Sequence, residues 1–343
     1  MNSPGQQAKR WCDNLIRPSL KGLMVGAADQ SDEPIVTVLV REMIHSSAMR
    51  CHQPDLDAVQ AWVREVLLSP YWLTLLLRES SGDAIGIALC QYITYEGDPS
   101  NRILKCKHFY VRKEHSEGLR SHSAMLVDAI VEAARRSPLV REVFIVTFGA
   151  SDIFGVRQLL SRRGFRRIGT QHLGQPRRTA QSAQIRAVRQ KGDLDDSALA
   201  TLRDLGRAFY AETGRSFLGT ARFDPEVMLD HSLGQPPKSS CTLIAIHDGR
   251  PVGFLTGMLA SVALTTLIAL QSSLLYVHPA LRGGPVARQL LNAFVTAADD
   301  LGADSVLIGT SSSVNTDRVC RFLELRGFEH VGDVLSRPVL QYA

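Results

Sequence analysis

The sequence has little that would suit an oxidising compartment. Its six cysteines (Cys12, Cys51, Cys90, Cys106, Cys241 and Cys320) are scattered through 343 residues without a C-x-x-C pair. A disulfide framework needs dense, paired spacing in a small domain, so these read as reduced thiols of a cytoplasmic protein. Residues 1–14 lack the apolar core of a signal peptide. Aromatics are scarce and do not interleave with basic residues, which argues against a stacking platform for single-stranded nucleic acid. Collagen-like and coiled-coil compositions are absent. One uncharged run, Pro251 to Val277, is long enough to span a bilayer. Gly253, Gly257 and several Ser and Thr interrupt it, so it reads as two strands joined by a turn near 261–265.

What is present suits a globular chain. Hydrophobic residues at 45% can build cores, and the length suggests two domains or one large one. The net charge is +5, with the excess in the first half. Part of it is a cluster: Arg157, Arg162, Arg163, Arg166, Arg167, Arg177 and Arg178. Such a cluster could hold nucleic acid or an acidic partner. The plainer reading is a solvated helix face with arginine stems lying over apolar surface.

The chain repeats itself. Val156 to Gly169 resembles Val319 to Gly332, with Gly164/Gly327 and Gly169/Gly332 both offset by 163. In each copy a helix closes at a glycine, and Phe165 or Phe328 then turns inward as a strand begins. Upstream, His108 to Val111 parallels Leu274 to Val277, each a strand entering a loop. Amphipathic helices follow over 123–136 and 287–300, then apolar strands over 142–148 and 305–310. Helical periodicity also covers 37–49 and 199–213. Each unit therefore runs strand, one or two helices, three strands, helix, strand, helix, strand. In the second unit the first strand is expected near 185–189, and Asp195 and Asp196 can cap the helix after it. A short helix starts at Asp224-Pro225, with proline in the first turn, and strands are expected near 242–247, 251–258 and 266–277. The polar segment 174–184 reads as a linker.

The most informative segment runs from Tyr276 to Leu291. A strand ends, and an Arg/Gly loop opens into a helix, whose free N–H groups and positive dipole end suit a pyrophosphate. Here the sequence resembles the GNAT-superfamily N-acetyltransferases. Their signature at this turn reads here as Arg282-Gly283-Gly284-Pro285-Val286-Ala287, and the helix–Gly–Phe–strand element found twice is also typical of them. The resemblance covers roughly 22–173 and 184–340. It implies an α/β fold of two tandem GNAT-like domains, each a mixed, mostly antiparallel sheet flanked by helices. The expected division is an extension over 1–21, domains over 22–173 and 185–343, and the linker between them.

The resemblance further implies acetyl-CoA as acyl donor and an amine, on a small molecule or a protein, as acceptor. The cofactor would lie against Leu275, Tyr276, Val277, Arg282, Gly283, Gly284, Val286, Ala287, Arg288 and Asn315. Backbone N–H near Leu275–Val277 would polarise the thioester carbonyl. The second loop also looks like GNAT-like proteins of bacteriophages, some of them particle components. A catalytically weakened scaffold, used for binding or assembly and located in a phage particle, is therefore the alternative. A homo-oligomer or assembly partner is compatible with either reading, and nucleic acid ranks lower.

The departures from the family pattern are specific. Pro285 replaces a signature glycine and removes one phosphate-facing N–H. The position of the family's general-acid tyrosine holds Leu323 in the second copy and Leu160 in the first. The strand before the loop, 269–273, has no carboxylate. The first copy's loop carries Glu117 where the arginine belongs and His122 in place of the last small residue. A carboxylate there repels a pyrophosphate, so this copy reads as structural. Glu212, on the helix that walls the acceptor site in this family, is the candidate general base; Ser47 occupies its place in copy one. A solvated glutamate is the plainer reading. Asn315 could contact the pantetheine arm or simply cap a helix. Cys106, His108, His115 and His122 have looser spacing than zinc pairs use, and no metal is expected.

Overall fold

The computed structural model describes residues 23–46, 56–95, 98–112, 119–147, 153–174, 184–188, 191–214, 224–234, 239–262, 267–310 and 314–338. Within them the first half contains β1 (Met24–Ala27), α1 (Glu33–Ser46), α2 (Leu56–Leu68), β2 (Trp72–Arg78), β3 (Ala84–Tyr95), β4 (Asp98–Val111), α3 (Leu119–Arg136), β5 (Val140–Val146), α4 (Ile153–Ser161) and β6 (Arg166–Gly174). The second half repeats the order as β7 (Gln184–Val188), α5 (Asp196–Gly214), α6 (Pro225–Leu233), β8 (Ser240–His247), β9 (Arg250–Ser261), β10 (Ile268–Val277), α7 (Val286–Asp300), β11 (Ser305–Gly309), α8 (Thr316–Glu324) and β12 (Glu329–Pro338). The uncharged run is a β9–β10 hairpin, and no helix of the described residues is long and apolar enough to cross a membrane.

Local chemistry explains these elements. Asp195 Oδ1 accepts from Ala198 N–H at 2.7 Å at the start of α5, and Asp224 accepts from Glu226 N–H ahead of Pro225. These contacts satisfy N–H groups that a helix start leaves unpaired. Gly164 and Gly327 have φ of 78° and 85°, and the phenylalanine after each is buried. Both helix–Gly–Phe turns are thus the left-handed closures the sequence suggests. One close approach fixes α7 on the sheet. A Cβ at Gly257 would fall 2.5 Å from Phe294 Cζ, so only glycine lets that fully buried ring press onto β9.

All twelve strands join one sheet, in the order β1-β2-β3-β4-β5-β12-β6-β11-β10-β9-β8-β7. Read from its two ends, the order gives matching strands of the two copies, down to a central β12–β6 pair. Each copy's last strand has crossed over. β12 pairs with β5 of the first half, and β6 pairs with β11 of the second. The repeat alone did not indicate this exchange.

The seam explains part of the arginine cluster. Asp333 on β12 is fully buried, and Arg157 and Arg167 of the first half grip its carboxylate. Arg167 also reaches Asp317 at 2.6 Å, and Arg163 reaches Asp128 at 3.0 Å. Burial pushes the Asp333 carboxyl up, but hydrogen bonds from His330 and Arg157 and the two guanidinium charges outweigh it and hold the group low. Symmetry-related threonines complete the seam. Asp333 N–H donates to Thr147 Oγ1 at 2.8 Å, while Thr170 N–H donates to Thr310 Oγ1 at 3.0 Å. Three of the clustered arginines are therefore engaged by carboxylates; Arg177 and Arg178 lie outside the described residues.

Candidate active site

The site begins where β10 and β11 part. They run parallel through Ala269↔Ser305, Leu270↔Val306 and Gln271↔Leu307, and no further. Ser272 Oγ accepts from Gly309 N–H at 3.0 Å and closes the junction. A register shift between Ser272 and Leu274 marks a bulge, after which β10 continues to Val277 paired with β9 alone. Leu275, Tyr276 and Val277 therefore present one backbone edge to an opening between the strands. Such an edge can hydrogen-bond an extended amide chain.

The chain then enters the Arg/Gly loop. Arg282 N–H and Gly284 N–H are taken by turn bonds to Pro279 and Leu281 carbonyls, at 3.2 and 3.3 Å. Gly283 needs its φ of +87° to make the turn. Pro285 is the N-cap of α7 and no side chain caps the helix, while the first bond inside it runs from Gln289 N–H to Pro285 O at 3.0 Å. The N–H groups of Val286, Ala287 and Arg288 thus have no acceptor within the helix, next to the mouth of the opening. Sequence reasoning missed one neighbour. Arg318, exposed in the first turn of α8, places Nη2 3.5 Å from where a Gly283 Cβ would stand. A second cation therefore borders the loop. It could not be found from the loop motif because it lies 35 residues beyond Gly283.

Glu212 and Arg282 are brought together. Arg282 Nη2 donates to both oxygens of Glu212 at 3.0 and 2.8 Å, its Nε donates to Val277 O at 2.8 Å, and its guanidinium lies over the Tyr276 ring at 5.2 Å. Tyr276 Oη donates to Glu212 Oε1 at 3.1 Å. Burial first, then the Glu212 charge, push the Tyr276 phenol up to about 12, so it keeps its proton at neutral pH. The last turn of α5, the end of β10 and the Arg/Gly loop are thus clamped by one carboxylate. Both partners are about a third exposed, so the ion pair contributes roughly 0.5–1 kcal/mol.

The remaining predicted positions separate. Asn315 precedes α8 in a left-handed conformation (φ 51°) and its side chain makes no cap bond. Leu323 and Leu160 are fully buried in the cores of their copies. In the first copy a bulge of β4 falls at Lys107, the counterpart of Ser273. There Lys107 Nζ lies 5.3 Å over Trp72, and the His108 ring stands edge-on to Trp62. Burial pushes Lys107 down to about 8 and His108 to about 4. α3 starts at Leu119, so His122 sits inside its first turn rather than at the loop's last position. Glu117, His115 and Ser47 lie outside the described residues. Cys106 donates from Sγ to His108 O at 3.3 Å and joins no cluster of metal-ligating groups among the described residues.

Residues 197–328 match the family model described as Acetyltransferase (GNAT) family. That match lies within the second half of the chain. The whole chain has the fold of solved GNAT structures. A GCN5-related N-acetyltransferase from Sphaerobacter thermophilus is 16% identical, with 93% of this chain and 98% of that one covered and a TM-score of 0.54. A GCN5-related glucosamine N-acetyltransferase region of a fungal multi-domain GH3 β-N-acetylglucosaminidase is 12% identical, with a TM-score of 0.51. That match covers 93% of this chain and 38% of the fungal one. A tandem GNAT protein from the clavulanic acid biosynthesis pathway is 13% identical over 94% of this chain and all of that one, with a TM-score of 0.49. No curated protein matches the sequence. The parted strands and the uncapped helix lie within the matched residues.

Proposed function

We propose that the chain is an acetyl-CoA-dependent N-acetyltransferase whose second half carries the reaction. The observation that carries this is the parting of β10 and β11 together with the uncapped start of α7, nine residues after β10 ends. The pyrophosphate would rest on the N–H groups of Val286, Ala287 and Arg288, with Arg318 as a further cation. The Asn315 amide and the Leu275–Val277 edge would hold the pantetheine arm. A backbone N–H of that edge would polarise the thioester carbonyl as the tetrahedral oxyanion forms. The acceptor amine attacks directly, and CoA leaves as the thiol once the amine's proton has been transferred. Glu212 is the candidate proton acceptor, positioned by Arg282 and Tyr276. The first half, covering 22–173, acts as the structural partner. The test is calorimetric binding of acetyl-CoA to the full chain, with thiol release measured over a panel of amines. Saturable binding with release on one amine class supports the reading. No binding at millimolar acetyl-CoA overturns it in favour of the scaffold.

A further inference from the structure

At the seam between the two halves, Cys320, Glu324 and His330 place their ligand atoms within 4.8 Å of one another. The sequence brings this about simply. Cys320 and Glu324 are four residues apart on one face of α8. Gly327 then turns the chain so that His330, early in β12, returns to that helix. His330 Nε2 is 3.1 Å from Asp333 Oδ1, which leaves Nδ1 as the coordinating atom and Asp333 as the carboxylate that orients the ring.

A second observation points to a ligand. His172 on β6 lies directly opposite His330 in the ladder, with ring centroids 5.2 Å apart. Its Nε2 meets Thr170 Oγ1 at 3.0 Å, while its Nδ1 is buried with no hydrogen-bond partner among the described residues. The side chain is fully buried. Two imidazoles bound at about 2.0–2.1 Å to one tetrahedral ion stand with ring centres about 5 Å apart, close to this spacing. The repeat supplies a third argument. The counterparts of Cys320 and His330 in the first copy are Arg157 and Arg167, whose guanidinium groups neutralise Asp333. The second copy thus carries two metal-binding side chains where the first carries two fixed cations.

We propose that Cys320, Glu324 and His330, completed by His172, bind a zinc ion. A thiolate, a carboxylate and two imidazoles suit zinc, and four protein ligands make a closed, structural site. The ion would tie α8 and β12 to β6, so it would staple the exchanged strands and fix the helix that carries Arg318. Arg167 lies close by and reaches the Cys320 side chain as well as Asp333 and Asp317, so a Cys320 thiolate would have a cation as neighbour.

The test uses the chelator-treated full chain and cobalt(II) as a spectroscopic probe, followed by zinc competition against a chromophoric chelator. One equivalent of cobalt should give thiolate-to-metal charge transfer and the intense visible bands of a tetrahedral site, and zinc should bleach both. Cys320→Ser should abolish the charge-transfer band. His330→Gln, which keeps a donor for Asp333, should weaken zinc by at least about tenfold. The proposal is overturned if the wild-type chain shows no such band, if the band survives Cys320→Ser, or if His330→Gln binds zinc as tightly as wild type. None of these readouts depends on acetyl transfer.

Discussion

Pro285→Gly separates stability from cofactor binding, because it should move them in opposite directions. Pro285 is the exposed N-cap of α7, with φ −76° and ψ −16°, and it stands where the family signature has glycine. Its ring nitrogen carries no hydrogen, so the anion-facing loop is one donor short. Glycine restores that N–H beside the donors of Val286, Ala287 and Arg288. A hydrogen bond to a charged group contributes about 1.5–3 kcal/mol. Part of this is offset because the free loop becomes more flexible, an effect of about 0.4–1 kcal/mol. The net gain of about 1–2 kcal/mol corresponds to roughly 5–30-fold tighter acetyl-CoA binding. The same flexibility should lower folding stability by about 0.4–1 kcal/mol. Calorimetry measures the first change and thermal melts the second, with Pro285→Ala as a control that restores the N–H with less freedom. If neither variant binds acetyl-CoA more tightly than wild type, the pyrophosphate does not rest on this helix start.

Three further outcomes follow from the geometry. Glu212→Gln keeps the side chain's shape but removes the charge that holds Arg282; as the base, its loss should slow transfer at least about tenfold. The wild-type rate should then level off with pH instead of climbing beyond 8 toward the amine's pKa near 10; an indifferent variant with a still-rising profile would remove Glu212 from the chemistry. Asp333→Asn leaves Arg157 and Arg167 facing a neutral group at the seam and should lower stability by about 2–3 kcal/mol, reduced from the fully buried case because both arginines are partly exposed; a denaturant midpoint close to wild type would show that the network contributes little. Residues 184–343 expressed alone lose β5 and β6, the two strands that pair with β12, so the product should aggregate or dimerise by exchanging β12, and a monodisperse monomer in light scattering would contradict the shared sheet.

Much of the candidate site was legible because it depends on local chemistry. The Arg/Gly loop, the helix after it and the strand before it lie within 276–291 and interact with their sequence neighbours. Asp195, Asp224, Gly164 and Gly327 act within a few residues of themselves. The clamp was only half legible. Glu212 and Arg282 were each picked out, but their pairing across 70 residues depends on how α5 lies against β10. Arg318 and the Cys320–His330 group gave no signal at the loop, because they reach it or the seam only after α8 folds back.

The sequence by itself determined the twofold repeat, the order of elements within each copy, and the strand-to-loop-to-helix turn of the second copy, since glycine closures, caps and hydrophobic periods are short-range. Only the tertiary structure decided that β6 and β12 change places. Both strands carry a glycine at the matching position, Gly169 and Gly332, and a continuous buried stretch after it, which fits the edge of β5 as well as that of β11. The choice between those edges rests on partners from the other copy. In the exchanged position Asp333 meets Arg157, Arg167 and Thr147, and an unpaired buried carboxylate would cost several kcal/mol. A long-range pairing of a buried charge thus accompanies a strand exchange that the local pattern does not specify.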